Sequence, residues 1–360
     1  MEGTVRKKKF CKAVIVFSLV ISIISASGAS NVNAVFSSKG GHLLVPMGNT
    51  VGIKLKSDGV LVVGLSQVEG GTFGPTPAAS AGIRAGDIIT QLNAKKIESV
   101  EDFRSAVKSL GEKPATVRVR RNGKDHQMTV VPVRNKNGEA ELGVWLRDGI
   151  VGIGTVTFYD ADKKIFGALG HSVNDIDTGI VLPLKSGSIM KSNIVSVIKG
   201  ANGSPGELRG SFDLLSSIGR LYANTPKGIF GTLEQSKGMA LREAIPAAKR
   251  NEIKTGKATI LSNISGDSVE EFEIEISRIY PPGENGVRDM MITVTDENLI
   301  DRTGGIVQGM SGSPIIQNGK LVGAVTHVLV NDPCRGYAIA IENMIEAAFT
   351  RNAASIIFSA

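Results

Sequence analysis

One stretch of the sequence combines a hydroxyl nucleophile with glycines on both sides. It runs over residues 304–314 as Gly-Gly-Ile-Val-Gln-Gly-Met-Ser-Gly-Ser-Pro, with Ser311 between Gly309 and Gly312. A serine that attacks a carbonyl carbon must be exposed, and two backbone N–H groups must point at the oxyanion that forms. Flanking glycines allow the backbone angles and the close substrate approach that this requires. The stretch therefore predicts a nucleophilic serine, and the alternative is a purely structural glycine turn.

A nucleophilic serine needs a general base, and the sequence contains only four histidines. His42 lies in an N-terminal linker and His126 in a predicted hairpin, so neither is well placed for this role. His171 follows a predicted strand and stands between turn residues, 140 residues before the serine. His327 lies inside a predicted strand after the serine and is interpreted as a substrate-pocket or packing residue. His171 is therefore the predicted base.

The residues alone leave the orienting acid open. Asp175, Asp177, Asp296 and Asp301 are candidates, and each could equally be a solvated turn residue. Asp296 follows a predicted strand and precedes Ser311 by fifteen residues, which could bring its carboxylate to the same cleft. Spacing does not choose among the four.

The string Gly-x-Ser-Gly-x-Pro at residues 309–314 resembles the serine loop of chymotrypsin-like proteases. The resemblance implies that Ser311 is the nucleophile and that the N–H groups of Gly309 and Ser311 form the oxyanion hole. It also implies a base in a first β-barrel and a serine in a second, an order that His171 and Ser311 follow. Ser313 stands where that family usually has glycine, a difference that does not touch the chemistry.

The composition of the 360-residue chain fits a β-rich globular protein of two domains. Hydrophobic residues make up 42% and charged residues 21%, which argues against disorder and against a polytopic membrane protein. Two cysteines, Cys11 and Cys334, are too few for a disulfide framework or a four-ligand zinc site. The net charge of +7 falls to +3 without the first 30 residues, so nucleic-acid binding is not indicated. No metal or organic cofactor is expected.

Residues 1–35 have the pattern of a targeting segment. The basic cluster Arg6–Lys9 precedes the apolar run Ala13–Ile24, and small residues follow. A basic region before a short apolar run is typical of a secretory signal, and a slightly longer run would serve as an uncleaved anchor. Because the basic side stays in the cytoplasm, we expect the rest of the chain to be exported.

Residues 40–133 are predicted to form one compact unit. A hairpin is expected from Val51–Leu55 and Gly59–Gly64, and a helix over Ser99–Leu110, with Ser99 as its N-cap. A last hairpin turns at Asn122-Gly123.

This unit resembles a PDZ domain of exported bacterial proteases, most specifically in Ala-Gly-Ile-Arg-Ala-Gly-Asp-Ile-Ile at residues 81–89. The resemblance implies that a peptide adds as a strand beside backbone amides that receive its terminal carboxylate. The predicted position is Gly52, Ile53, Lys54 and Leu55, where Lys54 replaces the usual second glycine. The alternative is a PDZ fold that serves only as a spacer or clamp.

Short β-rich segments bounded by Gly, Pro, Asn or Asp recur over residues 145–355, as in a barrel or sandwich. A C-terminal helix is expected over residues 342–351. The predicted fold is therefore mainly β: an N-terminal signal or anchor, an α+β PDZ-like domain, and a chymotrypsin-like double β-barrel.

The whole arrangement resembles the SpoIVB peptidase family, the stage IV sporulation protein B of endospore-forming bacteria. The strongest matches are residues 167–172 and 303–330. The resemblance implies a triad in the order His171, Asp296, Ser311. It also implies secretion from the forespore into the intermembrane space, self-cleavage, and cleavage of a membrane-bound regulator. That cleavage would release an intramembrane protease that activates a sigma factor. The alternative is a non-catalytic envelope adaptor that binds protein C-termini.

Overall fold

The computed structural model describes residues 42–70, 74–234, 242–284 and 286–357. The predicted targeting segment, residues 1–35, lies outside the described residues. Among the helices in the described ranges, none combines the length and the apolar character needed to cross a bilayer.

The described residues of the first half of the chain form ten strands and two helices. They are β1 (Leu43–Pro46), β2 (Thr50–Leu65), α1 (Pro77–Ser80), β3 (Ile88–Leu92), β4 (Lys95–Lys96), α2 (Val100–Leu110), β5 (Ala115–Arg121), β6 (Lys124–Val130), β7 (Val133–Arg134), β8 (Ala140–Glu141), β9 (Val144–Asp160) and β10 (Ile165–Ala168).

The second half is again built mostly of strands. They are β11 (Leu184–Ile198), β12 (Glu207–Thr225), β13 (Gly228–Leu233), β14 (Ile245–Pro246), a 3-10 turn (Arg250–Glu252), β15 (Gly256–Ser265), β16 (Ser268–Ile279), β17 (Met290–Val294), α3 (Glu297–Thr303), β18 (Pro314–Gln317), β19 (Lys320–Leu329), β20 (Asp332–Ala340) and α4 (Ile341–Ile357).

Two antiparallel six-stranded barrels form the larger part of the fold. In the first, pairings run around a closed ring from β2 to β9, β10, β13, β12, β11 and back to β2. The second barrel closes in the order β15-β16-β17-β20-β19-β18. Each encloses its own apolar core, with Phe166 and Ile189 in the first and Phe272 and Ile292 in the second. The mainly β, chymotrypsin-like double barrel predicted from the sequence is confirmed.

The PDZ unit is inserted into the first barrel. Strand β2 pairs with β11 and β9 over residues 50–57, then continues to pair with β3 and with residues 144–147 of β9. Both β2 and β9 thus pass from the barrel into the PDZ unit without interruption. The unit has a separate apolar core, to which α2 contributes Phe103 and Val107 and β5 contributes Val117 and Val119.

Several local predictions for the PDZ unit are confirmed. The side chain of Ser99 accepts a hydrogen bond from the N–H of Asp102 and caps α2 at the predicted residue. Asn122 and Gly123 both have positive φ angles, 50° and 76°, as a tight type I′ hairpin between β5 and β6 requires.

Two predictions for this region are wrong. Residues 57–59 do not form the turn of a hairpin, because β2 continues through them as one strand. Gly59 (φ +100°) lies in a bulge, where the register with β9 shifts. The PDZ unit also does not begin at residue 40, because β1 and residues 50–56 pair within the first barrel. Asp58-Gly59 has the composition of a turn, but the strand pairing on both sides of it decides the fold.

Candidate active site and peptide groove

A cleft of about 400 Å³ lies where the two barrels meet. The first barrel contributes residues 150–153 of β9 and the loop 169–174 after β10. The second barrel contributes residues 306–311, which precede β18, and residues 326–328 of β19. His171 and Ser311 both line this cleft, as the sequence predicted for two groups that act on one substrate.

The serine loop is held in a conformation that requires glycine. Gly309 and Gly312 have φ angles of +99° and +100°, which residues with a Cβ rarely adopt. A Cβ at Gly312 would overlap the carbonyl oxygen of Thr155. These glycines therefore let the loop pack directly against β9.

Two backbone N–H groups of the serine loop, those of Gly309 and Ser311, are oriented by hydrogen bonds that the preceding carbonyls accept. The carbonyl of Gln308 accepts a hydrogen bond from Leu208 N (2.8 Å), and that of Met310 accepts one from Ser313 N (2.9 Å). Because a trans peptide points its N–H away from its C=O, the N–H groups of Gly309 and Ser311 face the opposite side. Neither N–H has an acceptor in the described part of the chain. Both residues line the cleft, so these two donors are available to an oxyanion that forms there.

Thr155 in β9 connects the segment that carries Ser311, the serine loop, to the loop after β10 that carries His171, the histidine loop. Its N–H donates to Ser311 O (3.0 Å), and its Oγ1 donates to Gly309 O (2.7 Å). Its own carbonyl accepts a hydrogen bond from Leu169 N (3.2 Å), two residues before His171. Thr155 is not predicted from the sequence, because a threonine inside a strand carries no signal of this role.

His171 is held as a neutral imidazole. Its Nδ1 lies 2.8 Å from the carbonyl oxygen of Ser172. A carbonyl only accepts, so Nδ1 carries the proton and Nε2 is left with its lone pair. Burial lowers the pKa of His171, and the hydrogen bond to Ser172 opposes this shift without reversing it. The side chain is thus prepared to accept a proton at neutral pH.

In this structure the hydroxyl of Ser311 donates to the carbonyl oxygen of Thr326 (2.8 Å), and not to His171. A change of the Ser311 rotamer is therefore needed before the two side chains share a proton.

His327 is the second imidazole in the cleft. Its ring centroid lies 5.0 Å from that of His171, at an interplanar angle of 39°. Burial, together with the neighbouring His171 and Arg288, lowers the pKa of His327 to about 4, so it stays neutral at pH 7. The sequence-based interpretation as a pocket or packing residue agrees with this position.

None of the four candidate aspartates is hydrogen-bonded to His171. Asp296 is the N-cap of α3, where its carboxylate accepts from Leu299 N (2.9 Å) and from Glu273 N (3.1 Å). Asp301 is an exposed residue of the same helix. Asp175 and Asp177 both pair with Arg147. The structure therefore brings together His171 and Ser311 but does not join Asp296 to them.

These contacts give a prediction for Asp296. Replacing it with Ala removes a helix cap, which should lower the free energy of unfolding by about 1 kcal/mol. We expect kcat for a peptide substrate to change less than about threefold, since Asp296 does not contact His171. Kinetics and thermal unfolding of Asp296→Ala and Asp301→Ala check this. A loss on the order of 10⁴ in kcat for Asp296→Ala alone would restore the predicted orienting role.

The predicted PDZ ligand position at Gly52, Ile53, Lys54 and Leu55 is wrong. These residues pair with β11 on one edge and with β9 on the other, so no edge is free for a peptide strand. The missing side chain of Gly52 instead makes room for the ring of Phe212, which a Cβ would overlap. Gly52 is therefore a packing residue of the first barrel.

A groove of about 840 Å³ lies elsewhere on the PDZ unit, between α2 and residues 139–147. Residues 144–147 of β9 pair only with β2 in the described structure, so their second edge has no strand partner. Gly143 (φ +68°) precedes this edge in the sequence Leu-Gly-Val-Trp. The sequence carried this second Gly-containing signal, but residues 134–144 fell between the two predicted domains.

A family model described as SpoIVB peptidase S55 matches residues 138–345. The chain belongs to the SpoIVB peptidase S55 family. A PDZ domain model matches residues 75–121, within the inserted unit. The family match begins beside the groove and ends in α4, so it includes both His171 and Ser311.

Individual relatives match parts of the chain. The probable protease eep of Enterococcus faecalis is 35% identical over 98 residues, which are 27% of this chain and 22% of that protein's length. The PDZ domain of the SdrC-like protein Lmo2051 from Listeria monocytogenes is 23% identical, with a TM-score of 0.21, over 25% of this chain and 87% of the other. The active form of the protease Rv3671c from M. tuberculosis is 16% identical, with a TM-score of 0.31, over 55% and 73%.

Proposed function

We propose that this protein is a serine endopeptidase in which Ser311 is the nucleophile and His171 is the general base. One observation carries the proposal. Gly309 and Ser311, whose N–H groups have no acceptor among the described residues, line the same cleft as a neutral histidine. A glycine turn of purely structural use has no need of two N–H groups without acceptors beside a serine hydroxyl in a cleft.

The reaction follows from these groups. Once the Ser311 hydroxyl turns from Thr326 to His171, Nε2 takes its proton while Oγ bonds to the peptide carbonyl carbon. The N–H groups of Gly309 and Ser311 receive the negative charge that develops on the carbonyl oxygen. His171 then protonates the leaving amine as the C–N bond breaks. In the second half of the reaction a water molecule gives a proton to His171 and bonds to the acyl carbon. The bond from that carbon to Ser311 Oγ then breaks, and His171 returns a proton to Oγ. The steps use only groups of this chain and water.

In this mechanism the carbonyl of Ser172 performs the task that a carboxylate performs in a Ser-His-Asp triad. It fixes the Nδ1–H tautomer and the ring orientation, and its partial negative charge stabilises the imidazolium. It stabilises that cation less than a full carboxylate charge would. The triad role of Asp296 stays a prediction of the family resemblance.

The pH dependence of kcat/KM should report His171. Since burial lowers the pKa of His171 below its ordinary value of 6.5, the active neutral form persists as the pH falls through 6.5. We expect an acid limb whose midpoint lies below pH 6.5, so that more than half of the maximal kcat/KM is retained at that pH. A midpoint above 7 would mean that a group stabilises the imidazolium more strongly than the Ser172 carbonyl can, and would favour a carboxylate partner.

The proposed substrates are protein chains, including this protein itself and a membrane-bound regulator of sporulation. Support comes from the family resemblance, which implies export into the forespore intermembrane space. The basic cluster and the apolar run within residues 1–35 are consistent with export and with membrane attachment.

The groove between α2 and β9 is the proposed site for an extended peptide of such a partner. Its free strand edge can pair with the peptide backbone, as in other PDZ domains. Ser105 lines the groove, whereas Ser109 lies on the same helix outside it. We expect Ser105→Trp to slow cleavage of a protein substrate at least tenfold while cleavage of a short peptide continues, and Ser109→Trp to change neither. Equal rates for both variants on the protein substrate would rule out this groove.

A fluorophosphonate probe tests the central proposal. The wild-type protein should be labelled on Ser311, as peptide mapping by mass spectrometry can show. Ser313→Ala is a matched control, because Ser313 is buried two residues away. Labelling should survive in Ser313→Ala and disappear in Ser311→Ala. Absence of labelling in the folded wild-type protein would favour the adaptor interpretation.

A further inference from the structure

The loop that carries His171 is braced at two points. At its base, the side chain of Asn224 accepts from Val173 N (2.8 Å) and donates to the carbonyls of Val173 and Leu182. At its tip, Asp175 accepts from the N–H and the hydroxyl of Thr178, both at 2.9 Å. The loop is therefore a small, internally bonded unit whose far end is organised around one carboxylate.

Asp175 is an unusual residue for a loop tip, because its side chain is fully buried. Burial alone would raise the pKa of Asp175, but the hydrogen bonds from Thr178 and the Arg147 guanidinium bring it below its ordinary value. Its neighbour Ile176 is 89% exposed. The tip is thus held by a charged contact, and not by apolar packing of Ile176.

The partner of Asp175 comes from the PDZ insertion. Arg147 donates from Nη1 to Asp175 and from Nη2 to Asp177 (2.8 Å). Arg147 pairs with Leu61 of β2 where both strands lie in the PDZ unit, and it also lines the groove beside α2. The next residue, Asp148, accepts from Val100 N (2.9 Å) at the start of α2.

Strand β9 thus contacts both the loop that carries His171 and the loop that carries Ser311. Arg147 holds the tip of the histidine loop, and eight residues further along Thr155 holds the serine loop and the start of the histidine loop. Because β9 is paired with β2 along most of this length, the two anchors are fixed relative to each other.

We propose that Arg147 is a positioning residue for the peptidase reaction, which acts through Asp175 to hold the His171 loop in its productive conformation. The inference rests on the proposed function, since it assigns His171 as the base. It makes the PDZ insertion a structural part of the active site, in addition to any peptide that its groove binds.

A simple stabilising role for the ion pair predicts a different result, and the chain contains a matched control. Arg121 pairs with Asp87 within the PDZ unit (2.6 Å), and Asp87, like Asp175, has a fully buried side chain. The side chain of Arg121 is 18% exposed and that of Arg147 is 32% exposed. Arg121→Gln should therefore destabilise the fold in a comparable way without touching the His171 loop.

The experiment compares Arg147→Gln, Asp175→Asn and Arg121→Gln in the full chain, well below their melting temperatures. The readouts are kcat and KM for a short peptide and the rate of fluorophosphonate labelling of Ser311. Misplacing a catalytic group by about 1 Å costs roughly 10²-fold, so we expect kcat and the labelling rate to fall roughly 10–100-fold in the first two variants. KM should stay within about threefold, and Arg121→Gln should retain the wild-type kcat. The Arg147→Gln/Asp175→Asn double variant should lose no more than the worse single variant, because both act through one contact.

Wild-type kcat per folded molecule in Arg147→Gln would overturn the inference, as would equal losses in Arg147→Gln and Arg121→Gln. If Arg147→Gln does not fold, the nearly isosteric Asp175→Asn decides by the same criteria. A wild-type protein that is not labelled at Ser311 would instead refute the proposed function itself. The two failures are therefore distinguishable.

Discussion

Replacing Ser311 with Ala should lower kcat for a peptide substrate by about 10⁴–10⁶, and His171→Ala should have an effect of similar size. The two side chains act in one proton transfer, so removing either leaves only the oxyanion hole and substrate binding. The double variant should be hardly slower than the worse single variant, because the groups act as a unit. Single-turnover assays with a sensitive fluorogenic peptide can cover this range.

The fold should survive both changes. Ser311 makes one side-chain hydrogen bond, to Thr326 O, and the ring of His171 faces the cleft. Circular dichroism and thermal unfolding should therefore resemble those of the wild type. His327→Ala provides the comparison for an imidazole in the same cleft, and it should cost much less than His171→Ala. A Ser311→Ala protein that kept more than about a tenth of the activity would exclude Ser311 as the nucleophile.

The features that could be predicted from the sequence are those determined by a few neighbouring residues. Ser99 and Asn122-Gly123 determine a helix start and a tight turn through their own backbone and side-chain bonds, and both were located correctly. The serine loop is also local, since its glycines and its nucleophile lie within a few residues. Such features depend little on the rest of the fold.

The errors came from pairings between distant residues. Asp58-Gly59 has turn composition, but β9 and β11 pair with β2 and keep it extended. The ring that closes the first barrel joins residues 50–56 to residues 149–155 across the whole PDZ insertion. Neither strand reveals its partner through composition, because alternation of apolar residues indicates a face and not a neighbour.

The sequence could not show which aspartate, if any, orients His171, for a similar reason. Asp296 directly precedes Glu-Asn-Leu-Ile, the pattern of a helix N-cap, and the structure gives it that task. Asp175 accepts a hydrogen bond from Arg147, 28 residues earlier in the chain, and no local sequence pattern predicts this contact. Ser172 contributes a backbone carbonyl, which any residue type could supply.

Gly309→Ala should lower kcat by about 10²–10³ while the protein remains folded, a loss like that caused by removing one oxyanion-hole donor. The φ angle of Gly309 is +99°, and an added Cβ would lie 3.1 Å from the side chain of Leu208. The least costly relief is rotation of the peptide between residues 308 and 309, which turns the Gly309 N–H away from the cleft. Because the nucleophile and the base are untouched, the loss should appear in kcat and hardly in KM.

Gly319→Ala is the matched control for this prediction. Gly319 also has a positive φ, +72°, and lies in the β18–β19 turn with no atom within 4 Å of an added Cβ. Both variants therefore carry backbone strain of roughly 1–3 kcal/mol, but only Gly309 contributes an N–H to the cleft. We expect similar losses of melting temperature and a large difference in kcat. Equal kcat values would mean that the Gly309 N–H does not bind the oxyanion, and the second donor would then have to be sought elsewhere in the cleft.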